Sequence, residues 1–139
     1  EQICVASGED MSFSQESLEP KGHAIECRIN AERLPTFSPS PGNIKEFHSP
    51  GGIGIRMDSA IYNGFTVPPH YDSLIGKLIV HADDRQMAIR RLARALDELI
   101  IDGVYTTLDL FKEILNEEQF KSGEYNIHWL ENWLADQAQ

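Results

Sequence analysis

Apolar and polar residues alternate over much of the first half of the chain, which is the pattern of half-buried β-strands. The clearest case is residues 23–30, where every second position from Ile25 onwards is apolar. Further strands are predicted over 43–48 and 53–58, the latter after a Pro-Gly-Gly turn. Asn63-Gly64 is the strongest hairpin signal in the chain. Together these features predict antiparallel strands.

Residues 74–81, LIGKLIVH, are apolar on both faces except at Lys77, and such a strand is typical of the centre of a sheet. A lysine within it needs an acidic partner, and Asp72 is one nearby candidate. The preceding Tyr71-Asp72-Ser73 could form a polar cluster, but a turn before the strand is the favoured interpretation. We therefore expect Lys77 to be ion-paired rather than catalytic.

Beyond these strands the apolar residues recur every three or four positions, which is the period of an amphipathic helix. The first predicted helix has its apolar stripe over 88–100, opens with a capping box at Asp83 and closes at Gly103. A second helix is predicted from Thr106 and a third from near Asn126. Strands followed by helices predict an α+β fold: an antiparallel sheet or partly open barrel, followed by a C-terminal helical cluster.

The length of 139 residues fits a single domain, 1–139, with its own hydrophobic core. The chain begins with Glu1 rather than Met, on the end of a helix that stops at Gly8, so we expect a larger parent protein. The acidic last ten residues, 130–139, are typical of a natural chain terminus.

The chain has a large excess of acidic residues, with 12 basic against 22 acidic side chains and a net charge of -10. An acidic chain repels phosphate backbones, so we expect no nucleic-acid partner. No apolar run of membrane length is present, so we expect no membrane partner either. Cys4 and Cys27 are typical of the thiols of a cytoplasmic protein, and the five histidines show no regular metal-ligand spacing.

Arg56 is the one candidate site residue, a fixed cation within the stretch 50–79, which is rich in glycine and proline. Its guanidinium offers five donors in a planar fork that matches carboxylates and other oxyanions. Arg56 could instead form a structural ion pair, either with Asp58 on the same strand face or with Glu26. From the residues alone, both interpretations stay open.

The order of motifs along the chain resembles that of the C-terminal domain of biotin carboxylase, the ATP-dependent part of acetyl-CoA carboxylase and its relatives. The resemblance is colinear and covers nearly all of the chain. The matching segments are GHAIECRINAE (22–32), PSPGNI (39–44), PGGIGIRMDS (50–59), YNGFTVPPHYDSLIGKLI (62–79), RRLARALDELIIDGV (90–104) and NIHWLE (126–131).

The resemblance implies an enzyme that activates bicarbonate with ATP and Mg or Mn, then carboxylates biotin on a carrier protein. It implies that Arg56 is catalytic: Arg56 would bind bicarbonate and biotin and stabilise the negative charge on the ureido oxygen. The family's nucleotide and metal residues lie upstream of the region that this chain resembles, so none is assigned here. The isolated chain is therefore expected to be inactive.

The resemblance also implies partners: a second copy in a homodimer, a biotin carboxyl carrier protein and carboxyltransferase subunits. The reaction would be the first half of acetyl-CoA carboxylase activity, in fatty acid biosynthesis in the cytoplasm. One alternative is a domain that serves mainly as a scaffold and dimerisation module. Another is the equivalent domain of a fused pyruvate, propionyl-CoA or urea carboxylase, although the acidic terminus favours a separate subunit.

Overall fold

A computed structural model describes residues 1–137, and the last two residues of the predicted chain terminus lie outside that range. The helices are α1 (Gln2–Ala6), α2 (Arg85–Glu98), α3 (Leu108–Ile114), α4 (Glu118–Ser122) and α5 (Trp129–Gln137), with a 3-10 turn at Gln15–Ser17. The strands are β1 (His23–Asn30), β2 (Glu32–Arg33), β3 (Ser38–Pro39), β4 (Gly42–Asn43), β5 (Glu46–His48), β6 (Ile55–Ser59), β7 (Thr66–Val67), β8 (Leu74–Ala82) and β9 (Ile100–Asp102).

The main sheet has three antiparallel strands in the order β1-β8-β6, so the predicted central position of residues 74–81 is confirmed. Leu78 and Val80 of β8 are fully buried, and they face the layer that α2 forms on one side of the sheet. The α+β class with an antiparallel sheet is confirmed, and the strands of residues 1–137 form open sheets rather than a closed barrel.

The strand predicted over 43–48 is instead two short strands, β4 and β5, which pair with different partners. The split occurs because the backbone of Ile44 bonds to Phe65, whereas the backbone of Lys45 bonds to Asp102. Adjacent residues thus bond to segments that lie far apart in the sequence, and apolar periodicity carries no information about such long-range partners.

The hairpin predicted at Asn63-Gly64 is wrong, although the turn itself is present. β6 pairs with β8 and β7 pairs with β4, so the two strands that flank the turn do not pair with each other. Gly64 has a φ of +90°, which suits glycine, and its amide donates to the carbonyl of Ile44 at 2.7 Å. The Asn63 side chain accepts from the Phe47 amide at 2.6 Å, so distant strands hold this turn.

Helix α2 covers the inner face of the sheet with a buried stripe, and both of its predicted ends are wrong by a few residues. The capping residue is Asp84 rather than Asp83, because the Asp84 carboxylate accepts from the Met87 amide at 2.7 Å. The helix ends at Glu98 rather than near Gly103, because the next residues form β9 and pair with β5. The buried stripe consists of Ala88, Leu92, Ala95 and Leu96.

Replacing Asp84 by Ala is expected to lower the free energy of unfolding by about 1 kcal/mol, because the first turn of α2 loses its side-chain cap. Chemical denaturation measures the change. Asp83→Ala is the matched control, because Asp83 makes no capping bond, and an equal loss in both variants would contradict this assignment.

The C-terminal helices form the predicted cluster beyond the edge of β1, although two starts differ from the prediction. α3 begins at Leu108 rather than Thr106, and α5 begins at Trp129 rather than near Asn126. The delay in α5 has a local cause, because the Asn126 side chain accepts from the His128 amide and forms a turn. A row of neighbouring aromatic rings joins α4 to α5: Phe120, Tyr125, Trp129 and Trp133.

Candidate functional site

The outer face of the three-stranded sheet, opposite α2, is charged. Strand register puts five charged residues on it in two rows, and we call this surface the charged face. One row contains Arg56 and Glu26 on either side of Ile79, and the other contains Asp58, Lys77 and Arg28. The charged face thus has three cations and two anions, in a chain whose net charge is -10.

Arg56 lies on β6 and forms an ion pair with Asp58, with 2.9 Å between Nη2 and Oδ2. The sequence left Asp58 and Glu26 open as partners, and the structure selects Asp58. The two side chains are 70% and 48% exposed, so the pair contributes about 0–1 kcal/mol to stability. Asp58 therefore orients the Arg56 guanidinium and neutralises part of its charge without burying it.

Lys77 is half-buried in the central strand, and its ammonium lies 3.9 Å from the carboxylate of Glu26. The expectation of an acidic partner is confirmed, although the candidate Asp72 is not that partner. The Asp72 carboxylate instead accepts from the Leu74 amide at 2.7 Å, and this bond closes the turn before β8. Residues 71–73 thus combine the predicted turn with part of the alternative polar cluster, because the Ser73 hydroxyl donates to the Glu32 carboxylate.

Arg28 is the residue on the charged face that the sequence analysis missed. It is exposed on β1 directly opposite Lys77, so two cations face each other across neighbouring strands. Its guanidinium has no ion pair or hydrogen bond to any group in residues 1–137. Like charges directly opposite in a sheet are destabilising. An anion bound between them would relieve that repulsion.

A cleft of about 480 Å³ runs along the end of the charged face. Lys77 and Asp58 lie at its charged side, and Phe65 and Ile75 give it an apolar floor. A site with one apolar wall and a few charged groups suits a ligand that combines a hydrocarbon part with an anionic part. Within residues 1–137, no group of three potential metal ligands comes together.

Cys27 lies on the opposite, inner face of β1 and is buried. Burial raises the pKa of its thiol to about 12, and the neighbouring charge of Glu26 adds to the effect. The folded protein therefore favours the neutral thiol. This contribution to stability is present below the ordinary pKa of 9.0 and decreases as the pH rises above it.

Because the thiolate is the reactive form, Cys27 is expected to resist thiol reagents at pH 8 in the native protein. Cys4 is only half-buried and should react. Titration with a chromogenic disulfide reagent should count one fast thiol in the native protein and two in denaturant. Two equally fast thiols in the native protein would contradict the buried position of Cys27.

The family described as biotin carboxylase C-terminal domain matches residues 26–132 of this chain. The chain belongs to this family. The matched range includes every residue of the charged face, and the resemblance seen in the sequence is confirmed. No helix of residues 1–137 has the length and apolar character needed to cross a membrane.

Curated relatives extend the similarity over almost the whole domain. The chain is 55% identical over 135 residues to the biotin carboxylase of Haemophilus influenzae, covering 97% of this chain and 30% of that protein. It is 52% identical over 134 residues to a pyruvate carboxylase subunit of Methanothermobacter thermautotrophicus, covering 96% and 27%. The chain thus spans about 30% of the length of the biotin carboxylases that it matches.

Solved structures show the same fold. One is the biotin carboxylase domain dimer of Hydrogenobacter thermophilus 2-oxoglutarate carboxylase in complex with MgADP, ADP and bicarbonate. The TM-score is 0.91 at 42% identity, covering 94% of this chain and 29% of that chain. The biotin carboxylase subunit of a pyruvate carboxylase also gives a TM-score of 0.91, at 43% identity with the same coverage.

Proposed function

We propose that this domain belongs to a biotin carboxylase, an enzyme that uses ATP and bicarbonate to carboxylate biotin on a carrier protein. We further propose that the charged face supplies positive charge to that reaction. The observation that carries the second proposal is the exposed cation Arg28, which lies opposite Lys77 and has no anionic partner within residues 1–137. The relatives named biotin carboxylase support the first proposal.

The chemistry needs such a cation twice. Bicarbonate is an anion that must be held in place, and deprotonation of the ureido nitrogen puts negative charge on the neighbouring oxygen. A preorganised donor aimed at a developing oxyanion lowers the barrier, and the guanidinium fork provides two parallel donors. Lys77 would add a second positive charge beside the Arg28 guanidinium.

Arg56 remains proposed as the catalytic residue that binds bicarbonate and biotin, in the role that the resemblance assigns to it. The structure adds a reason to rank Arg28 ahead of it, because Asp58 already neutralises part of the Arg56 charge. We infer that Arg28 contributes the larger share of anion stabilisation and that Arg56 contributes the smaller share.

Other components of the reaction would be bound elsewhere in the parent protein. We assign ATP and its Mg or Mn to regions outside this chain, and biotin to the carrier protein that presents it. The carboxyltransferase subunits would then select the acyl acceptor. Acetyl-CoA, with a role in fatty acid biosynthesis in the cytoplasm, is one proposal. A pyruvate carboxylase is the alternative, because one close relative belongs to a pyruvate carboxylase.

Assembly into a homodimer is a further proposed role of the domain. A similar solved structure is described as a biotin carboxylase domain dimer. In this chain Ile53 projects from the loop before β6 with 91% of its surface exposed, and a dimer interface that covered it would remove its apolar surface from water. Sedimentation over a concentration series, compared with an Ile53→Glu variant, tests the role. A strict monomer at every concentration would contradict it.

The first proposal is tested by bicarbonate-dependent ATP cleavage, measured for the 139-residue chain alone and for the complete parent protein. The chain alone should show no activity above background, whereas the parent protein should cleave ATP only when bicarbonate is present. Activity of the chain alone, or a parent protein without bicarbonate-dependent activity, would contradict the assignment.

A further inference from the structure

A pocket of about 510 Å³ lies where three distant parts of the chain meet. They are the end of β2, the segment 40–45 and the segment 102–105 at the end of β9. Two cations line the pocket, Arg33 and Lys45, and both residues are exposed. None of its residues belongs to the charged face. Its volume is within the range of about 300–1,000 Å³ that is typical of small-molecule sites.

The Arg33 guanidinium is positioned by an aromatic ring rather than by an acid. Its Cζ atom lies over the Tyr105 ring, 4.0 Å from the ring centroid. It forms no ion pair or hydrogen bond with any group in residues 1–137, so its N–H donors stay available. The Lys45 ammonium likewise has no partner in that part of the chain. A guanidinium that is already oriented loses less entropy when it binds an anion.

The acids around this pocket do not pair with its two cations. Among residues 1–137, Asp102 is the one acid that lines the pocket, and its carboxylate forms no ion pair with either cation. Glu32, the neighbour of Arg33 in β2, instead accepts from the Ser73 hydroxyl. Glu46 follows Lys45 in the chain and forms no ion pair with it. Salt screens exposed charges more than about 8 Å apart, which weakens the effect of the net charge of -10 on the pocket.

Three neutral donors add to the two cations. The Ser40 hydroxyl accepts from the Tyr105 amide at 3.1 Å, and its own proton is bonded to no group in residues 1–137. The amides of Gly103 and Val104 also donate to nothing in that range. A carboxylate has only two oxygens to accept from such a set of donors. A phosphate monoester has three and carries a charge of about −1.5 to −2 at neutral pH, so the donors favour phosphate.

We propose that this pocket binds a phosphate dianion, either free phosphate or the terminal group of a phosphomonoester. Arg33 binds two of its oxygens with the guanidinium fork, and Lys45 adds the second positive charge. The Ser40 hydroxyl and the two free amides donate to the remaining oxygens. The space beside Pro41 and Val104 holds the rest of a monoester. This proposal does not depend on the proposed carboxylase activity.

The test titrates inorganic phosphate into the complete parent protein by calorimetry, with MgADP present to occupy the nucleotide site. Arg33→Ala and Lys45→Ala should each weaken binding about tenfold, because each removes a charge-assisted contact. Both side chains are exposed, so the melting temperature without phosphate should stay near that of the parent sequence. Arg28→Ala is the matched control and should leave this binding unchanged, because Arg28 lies on the charged face.

Asp102→Asn tests the charge balance of the pocket in the opposite direction. It removes the acid that lines the pocket, so phosphate should bind about threefold more tightly. A parallel titration with glycerol phosphate distinguishes the two sources of the ligand. Tighter binding of glycerol phosphate than of inorganic phosphate identifies a phosphomonoester as the ligand, and the reverse order identifies free phosphate.

Three results would overturn the proposal. The first is absence of binding by both phosphate ligands at about 10 mM, and the second is binding of acetate as tight as that of phosphate. The third is phosphate binding that Arg28→Ala abolishes while Arg33→Ala and Lys45→Ala leave it unchanged, because the anion would then lie on the charged face.

Discussion

Replacing Arg28 by Ala in the complete enzyme is expected to lower the rate of biotin carboxylation by about 10²-fold or more. The side chain is exposed, lies opposite Lys77 and is not neutralised by any group in residues 1–137. Its full charge is therefore available to bicarbonate and to the ureido oxygen. Arg28→Lys should recover only part of the rate, because an ammonium keeps the charge but loses the planar fork.

Two other variants calibrate this result. Arg56→Ala should lower the rate less, about tenfold, because Asp58 already neutralises part of that charge. Arg90→Ala is the matched control and should leave the rate unchanged, because Arg90 is exposed on α2, away from the charged face. A larger loss for Arg56→Ala than for Arg28→Ala would reverse the order proposed for the two guanidiniums.

The Arg28→Ala enzyme should remain folded. Substitution of an exposed side chain without partners changes the free energy of unfolding by about 0.5 kcal/mol or less. Here the loss of repulsion from Lys77 acts in the stabilising direction. A melting temperature close to that of the unaltered enzyme would therefore assign any loss of rate to chemistry rather than to unfolding.

Replacing Leu78 by Ala is expected to have the largest effect on stability, lowering the free energy of unfolding by about 2–5 kcal/mol. Leu78 is fully buried in the central strand, between Cys27 of β1 and Met57 of β6. Truncation leaves a cavity that strands on both sides prevent from collapsing. Chemical denaturation of the 139-residue chain measures the change.

Ile79→Ala is the matched control for this prediction, because Ile79 is the next residue of β8 and lies on the charged face. Its side chain is only half-buried, so the expected loss is smaller, about 1 kcal/mol. If the two variants lost equal stability, the assignment of the inner face of β8 as the core would be wrong.

The regular elements were predictable from the sequence because their signals are local. Alternation defined β1, the doubly apolar run defined β8, and a period of three to four defined α2. The short strands were not predictable in the same way. β4 and β5 each exist only through pairing with chain far along the sequence, and the Asn63-Gly64 turn is held by that pairing rather than by a hairpin.

The charged face shows the same division between local and long-range information. The Arg56–Asp58 pair was one of two foreseeable partnerships, since both residues share one face of one strand. Arg28 could not be recognised, because its importance depends on Lys77 lying opposite it on another strand. The polar face of residues 23–30, which includes Arg28, was visible in the sequence. The residue that lies opposite Arg28 is fixed only by the pairing of β1 with β8.

The central claim is that the charged face acts in the carboxylation of biotin while the nucleotide is bound elsewhere. Its most direct test uses the complete enzyme with Arg28 and Arg56 both replaced by Ala, and measures biotin carboxylation and MgATP affinity together. We expect carboxylation to decrease to background while the affinity for MgATP stays unchanged. Carboxylation at the unaltered rate in this variant would contradict the claim.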